Sequence, residues 1–137
     1  MPTVRIFVMY RPPYYDVDAE VYADILTKCI TAYTVKNRSH VITGDLNLPH
    51  IIWNSYYSPS DRVNKLVLDG IIKNGYNQLV DFPTRDTNLL DIILTDDDSL
   101  ITSVKSCPPV RHSDHVAIEL TLTLMGVDHS VYESSCK

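Results

Sequence analysis

The segment Val41-Ile42-Thr43-Gly44-Asp45-Leu46-Asn47 constrains this chain most. A β-branched run that stops at a glycine and delivers Asp-x-Asn reads as a strand emptying its polar residues into a site. Side chains two apart on an extended chain point to the same face, so Asp45 and Asn47 can converge on one ligand. Ser113-Asp114-His115 does the mirror job later, a polar triplet placed just before a strand. In that strand Val116, Ile118, Leu120, Leu122 and Leu124 alternate with Ala117, Glu119, Thr121 and Thr123, the clearest period of two in the chain. Either motif alone is weak. In this order, two strand ends carrying two carboxylates, an amide and an imidazole suit a metal ion and a phosphate.

The rest of the pattern builds a sheet around these ends. Val4, Ile6 and Val8 alternate with Arg5, Phe7 and Met9, a strand with neither face strongly polar, which Arg11-Pro12-Pro13 ends. Apolar residues at 17, 21, 25, 29 and 33, with Leu26 and Ile30 beside them, predict an amphipathic helix over Val17 to Val35. Asp16 or Asp18 lies near its start, where acids suit the helix dipole. After the His40 to Thr43 strand comes a polar and aromatic loop through Trp53, Tyr56 and Tyr57. Ser60 or Asp61 can cap a second helix with Val63, Leu66, Val67 and Ile71, closed by Asn74-Gly75. Gln78 to Phe82, Leu89 to Thr95 and Leu100 to Val104 read as further strands, with a turn at Asp96 to Ser99. Beyond Gly126 the pattern fades into a polar tail. Strand, helix, strand, helix and then strands argue for an α/β (α+β) fold, one mixed β-sheet with helices on one face.

At 137 residues and 45% apolar content the chain makes one domain at most, with enough material for a core. A net charge of −5 argues against a non-specific electrostatic grip on nucleic acid. It leaves a nucleic-acid enzyme open, because a bound cation partly neutralises clustered carboxylates. Cys29, Cys107 and Cys136 are odd in number and without paired metal spacing, which points to a reducing, intracellular home. No stretch reaches the ~18 apolar residues of a membrane span, so no membrane partner is expected. Met1 to Tyr10 reads as a strand and not as a signal peptide.

Mg²⁺ takes oxygen ligands, keeps several waters, and is commonly held by one or two carboxylates plus substrate phosphate. Asp45 and Asp114 can supply the carboxylates and Asn47 a neutral amide that orients water or a phosphate oxygen. His115 could donate to a phosphate whose charge grows in the transition state. Asp91 sits inside the apolar run Leu89 to Leu94, where a bare carboxylate is costly, so a buried partner is expected. His115 is the candidate, since a carboxylate would fix its tautomer and favour the imidazolium. The plain alternatives stand beside these readings. Asp-x-Asn after a strand is often a turn or cap, and an Asp in an apolar strand is often a register or edge device. A serine-hydrolase reading of Ser113-Asp114-His115 fails, because adjacent side chains diverge and no small-residue elbow surrounds the serine. Tyr10 and Arg11 could meet phosphate or simply pack. Trp53, Tyr56 and Tyr57 could stack on bases or pack on the domain. His40, His50, His112 and His129 show no ligand spacing and receive no role.

Tyr10-Arg11-Pro12-Pro13, Gly44-Asp45-Leu46-Asn47, Leu90-Asp91-Ile92-Ile93-Leu94-Thr95 and Ser113-Asp114-His115 occur in the order seen in the endonuclease/exonuclease/phosphatase superfamily. The Tyr-Arg-Pro-Pro form, with Thr84 and Asn88 ahead of Leu90-Asp91, most resembles the endonuclease domains of non-LTR (LINE-type) retrotransposons. The resemblance covers residues 4 to 124 as a partial domain, followed by a polar tail over 125 to 137. It implies half of a four-layer α/β sandwich and Mg²⁺- or Mn²⁺-assisted phosphodiester hydrolysis. The implied reaction nicks DNA so that a reverse transcriptase can prime on the freed 3′ end. Asp45 would position or deprotonate the attacking water, or assist the leaving oxygen. Asn47 would orient that water, Asp114 would lie at the metal, and His115 would contact the phosphate with Asp91 behind it. Tyr10 would match the family's phosphate-contacting tyrosine. DNA is then the partner, with a reverse transcriptase domain beside it, and the nucleus the place of action.

The family draws an Asn and a metal-binding Glu from an earlier half with no counterpart before Tyr10, and Glu20 on the first helix does not replace that Glu. The expectation is therefore a chain weak or inactive alone, with one sheet face left bare and prone to association. Two rival readings stay open. One is a non-catalytic interaction module using that face. The other keeps the superfamily and changes the substrate to a phosphoester headgroup or RNA, which Arg85 and Arg111, the basic residues near the later motifs, do not decide.

Overall fold

The computed structural model describes residues 3–13, 19–59 and 62–124, and the backbone of 127–133. Strands and helices follow in the order β1 (Val4–Val8), α1 (Ala19–Tyr33), β2 (Ser39–Asp45), α2 (Arg62–Lys73), β3 (Asn77–Gln78), β4 (Asp91–Thr95), β5 (Ile101–Cys107), β6 (Ala117–Leu124) and β7 (Val127–Glu133). The helix-start residues Asp16, Asp18, Ser60 and Asp61 lie outside the described residues.

β1 and β2 pair in parallel, which needs a crossover connection, and α1 supplies it. β4 then runs antiparallel between β2 and β3, giving a four-stranded mixed sheet in the order β1-β2-β4-β3. The period of two along β2 and β4 divides the core. Ile42, Ile92 and Leu94 face the helices and pack with Ala23, Ile30, Val67, Leu68 and Ile71. Val41 and Ile93 face the other way, against Val80 and the Ile118, Leu120 and Leu122 stripe of β6. Phe7 stacks on Tyr33, centroids 4.4 Å apart, which fastens α1 over β1. Gly70 lets α2 approach α1, since a Cβ there would lie 2.6 Å from the Thr27 methyl carbon.

The α/β class and helices on one face stand, and the sheet count changes. β5, β6 and β7 form a separate antiparallel sheet, not an extension of the first. The turn at 96–100 explains why. Asp97 accepts the Ser99 N–H, and the chain is carried to the face opposite the helices, where the apolar stripe of β6 can be buried. The face expected to be bare is thus largely filled by the chain's own strands. Ile6 and Val8 of β1 remain outside that cover, Val8 at 72% exposure.

Two boundaries also move. The segment read as a polar tail contains β7, which pairs with β6 from Leu124↔Val127 to Ile118↔Glu133. A polar strand is held by its backbone ladder, which leaves no hydrophobic period to read. The Gln78 to Phe82 strand shrinks to Asn77–Gln78, because the Gln78 amide takes the Val80 N–H at 2.6 Å and donates to the Val80 carbonyl at 2.8 Å. Those groups are then lost to a neighbouring strand. Cys29 and Cys107 are free thiols.

Candidate active site

The site grows from the ends of β2 and β4. At Gly44 the φ of +139° and the space both demand glycine, since a Cβ would sit 1.8 Å from the Met9 carbonyl oxygen. That close approach lets the β1 extension follow β2, with the Met9 N–H on the Thr43 carbonyl and the Arg11 N–H on the Asp45 carbonyl, both at 2.8 Å. Asp45 is buried, and its Oδ1 accepts the Asn47 N–H at 2.9 Å in a tight turn where Asn47 takes a φ of 48°. Asn47 is clasped in turn by Arg11. Its Nδ2 donates to the Arg11 carbonyl at 2.7 Å while Arg11 Nη1 donates to the Asn47 carbonyl at 3.1 Å. Its Oδ1 is left as the atom able to meet a ligand.

Asp91 opens β4 directly across the ladder from Asp45. Buried carboxylates need partners, and His115 Nδ1 lies 2.6 Å from Asp91 Oδ2 with both residues buried. The Ser113 hydroxyl accepts the His115 N–H at 3.1 Å, so the serine shapes the turn that delivers the ring. A carboxylate on Nδ1 fixes the ring's orientation and directs Nε2 at the site. Nε2 stands 3.8 Å from Asp45 Oδ2 and 3.9 Å from Asp114 Oδ1. An imidazole set between two carboxylates, with a third behind it, can meet an anion on the ring and a cation on the carboxylates.

Asp45, Asp91 and His115 bring one ligand atom each within 4.8 Å of one another. Asp91 Oδ2 and His115 Nδ1 are engaged with each other, so the oxygen donors best placed for a hard cation are Asp45 and Asp114. Two carboxylates suit Mg²⁺ or Mn²⁺, ions that take their remaining ligands from water and phosphate. Asp114 carries a competitor: Arg85 Nε is 2.8 Å from its Oδ2, the side chains 40% and 54% exposed.

Of the residues singled out by sequence, Asp45, Asp91 and His115 come together, with Asp114 beside them and Asn47 joined through Asp45. Tyr10 is exposed and lines a groove of about 300 Å³ between β1 and α1, with Phe7, Met9 and Tyr22. Trp53 is buried in the core, and Tyr56 meets it edge-on while its hydroxyl accepts the Gln78 N–H at 2.7 Å. Neither is presented for stacking on a base; Tyr57 alone of the three is exposed. Sequence reasoning offered Arg11 as a phosphate contact or a packing residue and gave no site role to Thr84 or Arg85, whose places depend on bonds across the chain. The Arg-Pro-Pro break beside Tyr10 was the one available signal for Arg11.

A family described as endonuclease-reverse transcriptase matches residues 4–119, most of the chain. No curated protein matches it. Among the described residues, no helix is long and apolar enough to cross a membrane.

Proposed function

The chain belongs to the endonuclease–reverse transcriptase family, and from that membership and the site's geometry we propose that it hydrolyses phosphodiesters, nicking DNA with the aid of Mg²⁺ or Mn²⁺. The observation that carries the reading is the buried 2.6 Å contact between Asp91 and His115, with Nε2 turned toward Asp45 and Asp114. A ring held this way offers Nε2 to a non-bridging oxygen of the scissile phosphate, where negative charge builds in the transition state. Asp45 holds the attacking water or the leaving oxygen within reach, and Asn47 Oδ1 orients that group. Asp45 and Asp114 would hold the cation, which supplies charge neutralisation at the phosphate and a more acidic bound water. Two protein carboxylates leave the remaining coordination to water and substrate, so cation binding and activity by the chain alone are weak. A reverse transcriptase domain in the same protein and action in the nucleus follow as parts of the same proposal.

Supercoiled-plasmid nicking in Mg²⁺, with and without EDTA, tests it on the parent chain, Asp45→Ala and His115→Ala. Weak nicking that EDTA and each substitution abolish supports the proposal. Nicking indifferent to both substitutions would falsify it. Parallel assays on oligo-RNA and inositol phosphates separate DNA from the other phosphoesters.

One observation favours a second reading, a non-catalytic interaction module. β1 is an edge strand whose Ile6 and Val8 are exposed, with Tyr10 exposed just beyond its end. A folded chain that self-associates and cleaves no phosphoester with any cation would put that reading first.

A further inference from the structure

We propose that Thr84 is a positioning residue that sets the separation of Asp91 and His115. The inference deepens the nuclease reading and rests on it. Thr84 is fully buried and bonded on both sides of the pair. Its Oγ1 accepts the Leu90 and Asp91 N–H groups, each at 3.0 Å. Its carbonyl accepts the N–H of Val116, the residue after His115, at 2.9 Å. One residue thus joins the backbone that carries the carboxylate to the backbone that carries the imidazole.

The sheet shows why such a residue is needed. β3 pairs with β4 only at Thr95 and Leu94, and the Leu79 N–H on the Ile93 carbonyl extends that contact by one bond. Asp91 lies beyond that reach, so its N–H requires another acceptor, and the Thr84 hydroxyl provides one. The loop that presents Thr84 is closed on itself. Thr84 and Arg85 both donate to the Asn88 carbonyl, at 2.8 and 3.1 Å, and Asn88 donates back to Arg85 at 2.8 Å. Asp86 turns the chain with a φ of 50°. Arg85 continues the join, pairing with His115 as an isolated β-bridge and with Asp114 through its guanidinium. Ser113-Asp114-His115 is thereby docked on a rigid turn whose hydroxyl also holds the first residue of β4.

A contact as short as the 2.6 Å between Asp91 and His115 fails if either backbone drifts. Misplacement of about 1 Å costs catalysis up to roughly a hundredfold. Thr84→Val keeps the shape and deletes the acceptor, while Thr84→Ser keeps the acceptor. The expected result is a kcat for Thr84→Val lowered by about tenfold to a hundredfold at nearly constant KM, with Thr84→Ser close to the parent. The independent readout is the His115 Nδ1 proton in cation-free protein, followed by NMR. Its exchange with water should quicken by at least about tenfold in Thr84→Val and stay at the parent rate in Thr84→Ser.

Parent-like kcat and parent-like exchange in Thr84→Val would overturn the proposal, as would a fall in kcat with no change at Nδ1. If Thr84→Val does not fold, Thr84→Cys decides in its place, since a thiol is a weaker acceptor of serine-like size. Its Nδ1 exchange should fall between the Ser variant and Asp91→Asn, and a parent-like rate refutes the role. Nicking untouched by Asp91→Asn and His115→Ala would remove the nuclease reading and leave the exchange experiment standing.

Discussion

His40 and Asp96 form, at one end of the β2–β4 ladder, the contact that His115 and Asp91 form at the other: Nδ1 to Oδ2 at 2.6 Å in both. The two pairs differ at the second ring nitrogen. His40 Nε2 accepts the Val35 N–H at 3.3 Å, which fixes a neutral ring with its proton on Nδ1 and uses both nitrogens within the fold. His115 Nε2 instead points at two carboxylate oxygens. His40 is thus tied into the fold at both ring nitrogens, and under the proposed function His115 is the ring that meets the phosphate. His40→Gln should therefore cost about 1–3 kcal/mol of stability, by losing bonds to Asp96 and Val35. Nicking per folded molecule should be unchanged. Urea unfolding alongside the plasmid assay checks both, and a His40→Gln chain of full stability and lost activity would reverse the assignment.

Breaking the Asp91–His115 pair from one side strands a buried group. His115→Ala leaves the Asp91 carboxylate without its ring, and removing one partner of a buried pair typically costs about 3–5 kcal/mol. Asp91→Asn should cost less, because an amide is neutral and still able to accept. The double variant Asp91→Asn/His115→Ala should lose clearly less than the sum of its singles. Equilibrium unfolding of the four proteins measures the coupling, and simple additivity would mean that the two side chains do not stabilise one another.

How much of this was legible depends on where the determinant lies along the chain. Asp45, Asp91 and His115 could be read because each interrupts an apolar strand pattern or borders one, and a buried carboxylate calls for a partner. The pairing of Asp91 with His115 followed from that need alone. Thr84 and Arg85 could not be read that way. A threonine in a polar loop leaves no periodic mark, and its role arises when the Leu90, Asp91 and Val116 backbones arrive around it. β7 escaped for the opposite reason, since backbone pairing to β6 holds it and needs no apolar face. Trp53 and Tyr56 show the third case, where aromatic residues look the same in sequence whether they fill a core or meet a base.

Gly44 is the position least able to change. Gly44→Ala adds a Cβ 1.8 Å from the Met9 carbonyl oxygen, a backbone atom with no rotamer to escape into, at a φ of +139°. Strain at such a φ and overpacking each cost about 1–3 kcal/mol, so a loss on the order of 3 kcal/mol or insolubility is expected. The β1 extension should separate from β2, taking Arg11 and its clasp on Asn47 with it. Soluble yield and the urea midpoint give the answer, and a variant as stable as the parent would show that β1 does not pack this closely.

Acid should weaken the turn at the far end of the sheet. Asp97 is held below the ordinary carboxylate range, first by the Ser99 hydroxyl, then by the Ser39 hydroxyl and the Ser99 N–H, with burial opposing. A folded pKa below the unfolded value means that the carboxylate's contribution is complete above the unfolded pKa and disappears as pH falls through the folded one. Asp97→Asn should thus be less stable than the parent near neutrality. The two should converge below the unfolded value, 3.8, as pH falls. Unfolding free energies of both chains against pH test this, and a gap that stays constant into strong acid would assign the effect to something other than the charge.

A divalent cation held as proposed would compete with Arg85 for Asp114. Its carboxylate is 2.8 Å from the Arg85 guanidinium, with both side chains substantially exposed, so solvent screens the pair and its share of stability is under about 1 kcal/mol. Arg85→Gln should consequently leave the unfolding midpoint almost unmoved. Its effect on cations should be larger, because it removes a positive charge beside Asp114 and frees that residue's Oδ2. Mn²⁺ affinity, read by paramagnetic broadening or calorimetry, should tighten several-fold in Arg85→Gln and loosen in Asp114→Asn, with chelation reversing both. In the double variant the gain from Arg85→Gln should vanish, since the carboxylate it releases is absent. An Arg85→Gln gain that persists without Asp114 would place the cation elsewhere and leave the arginine with a purely electrostatic influence.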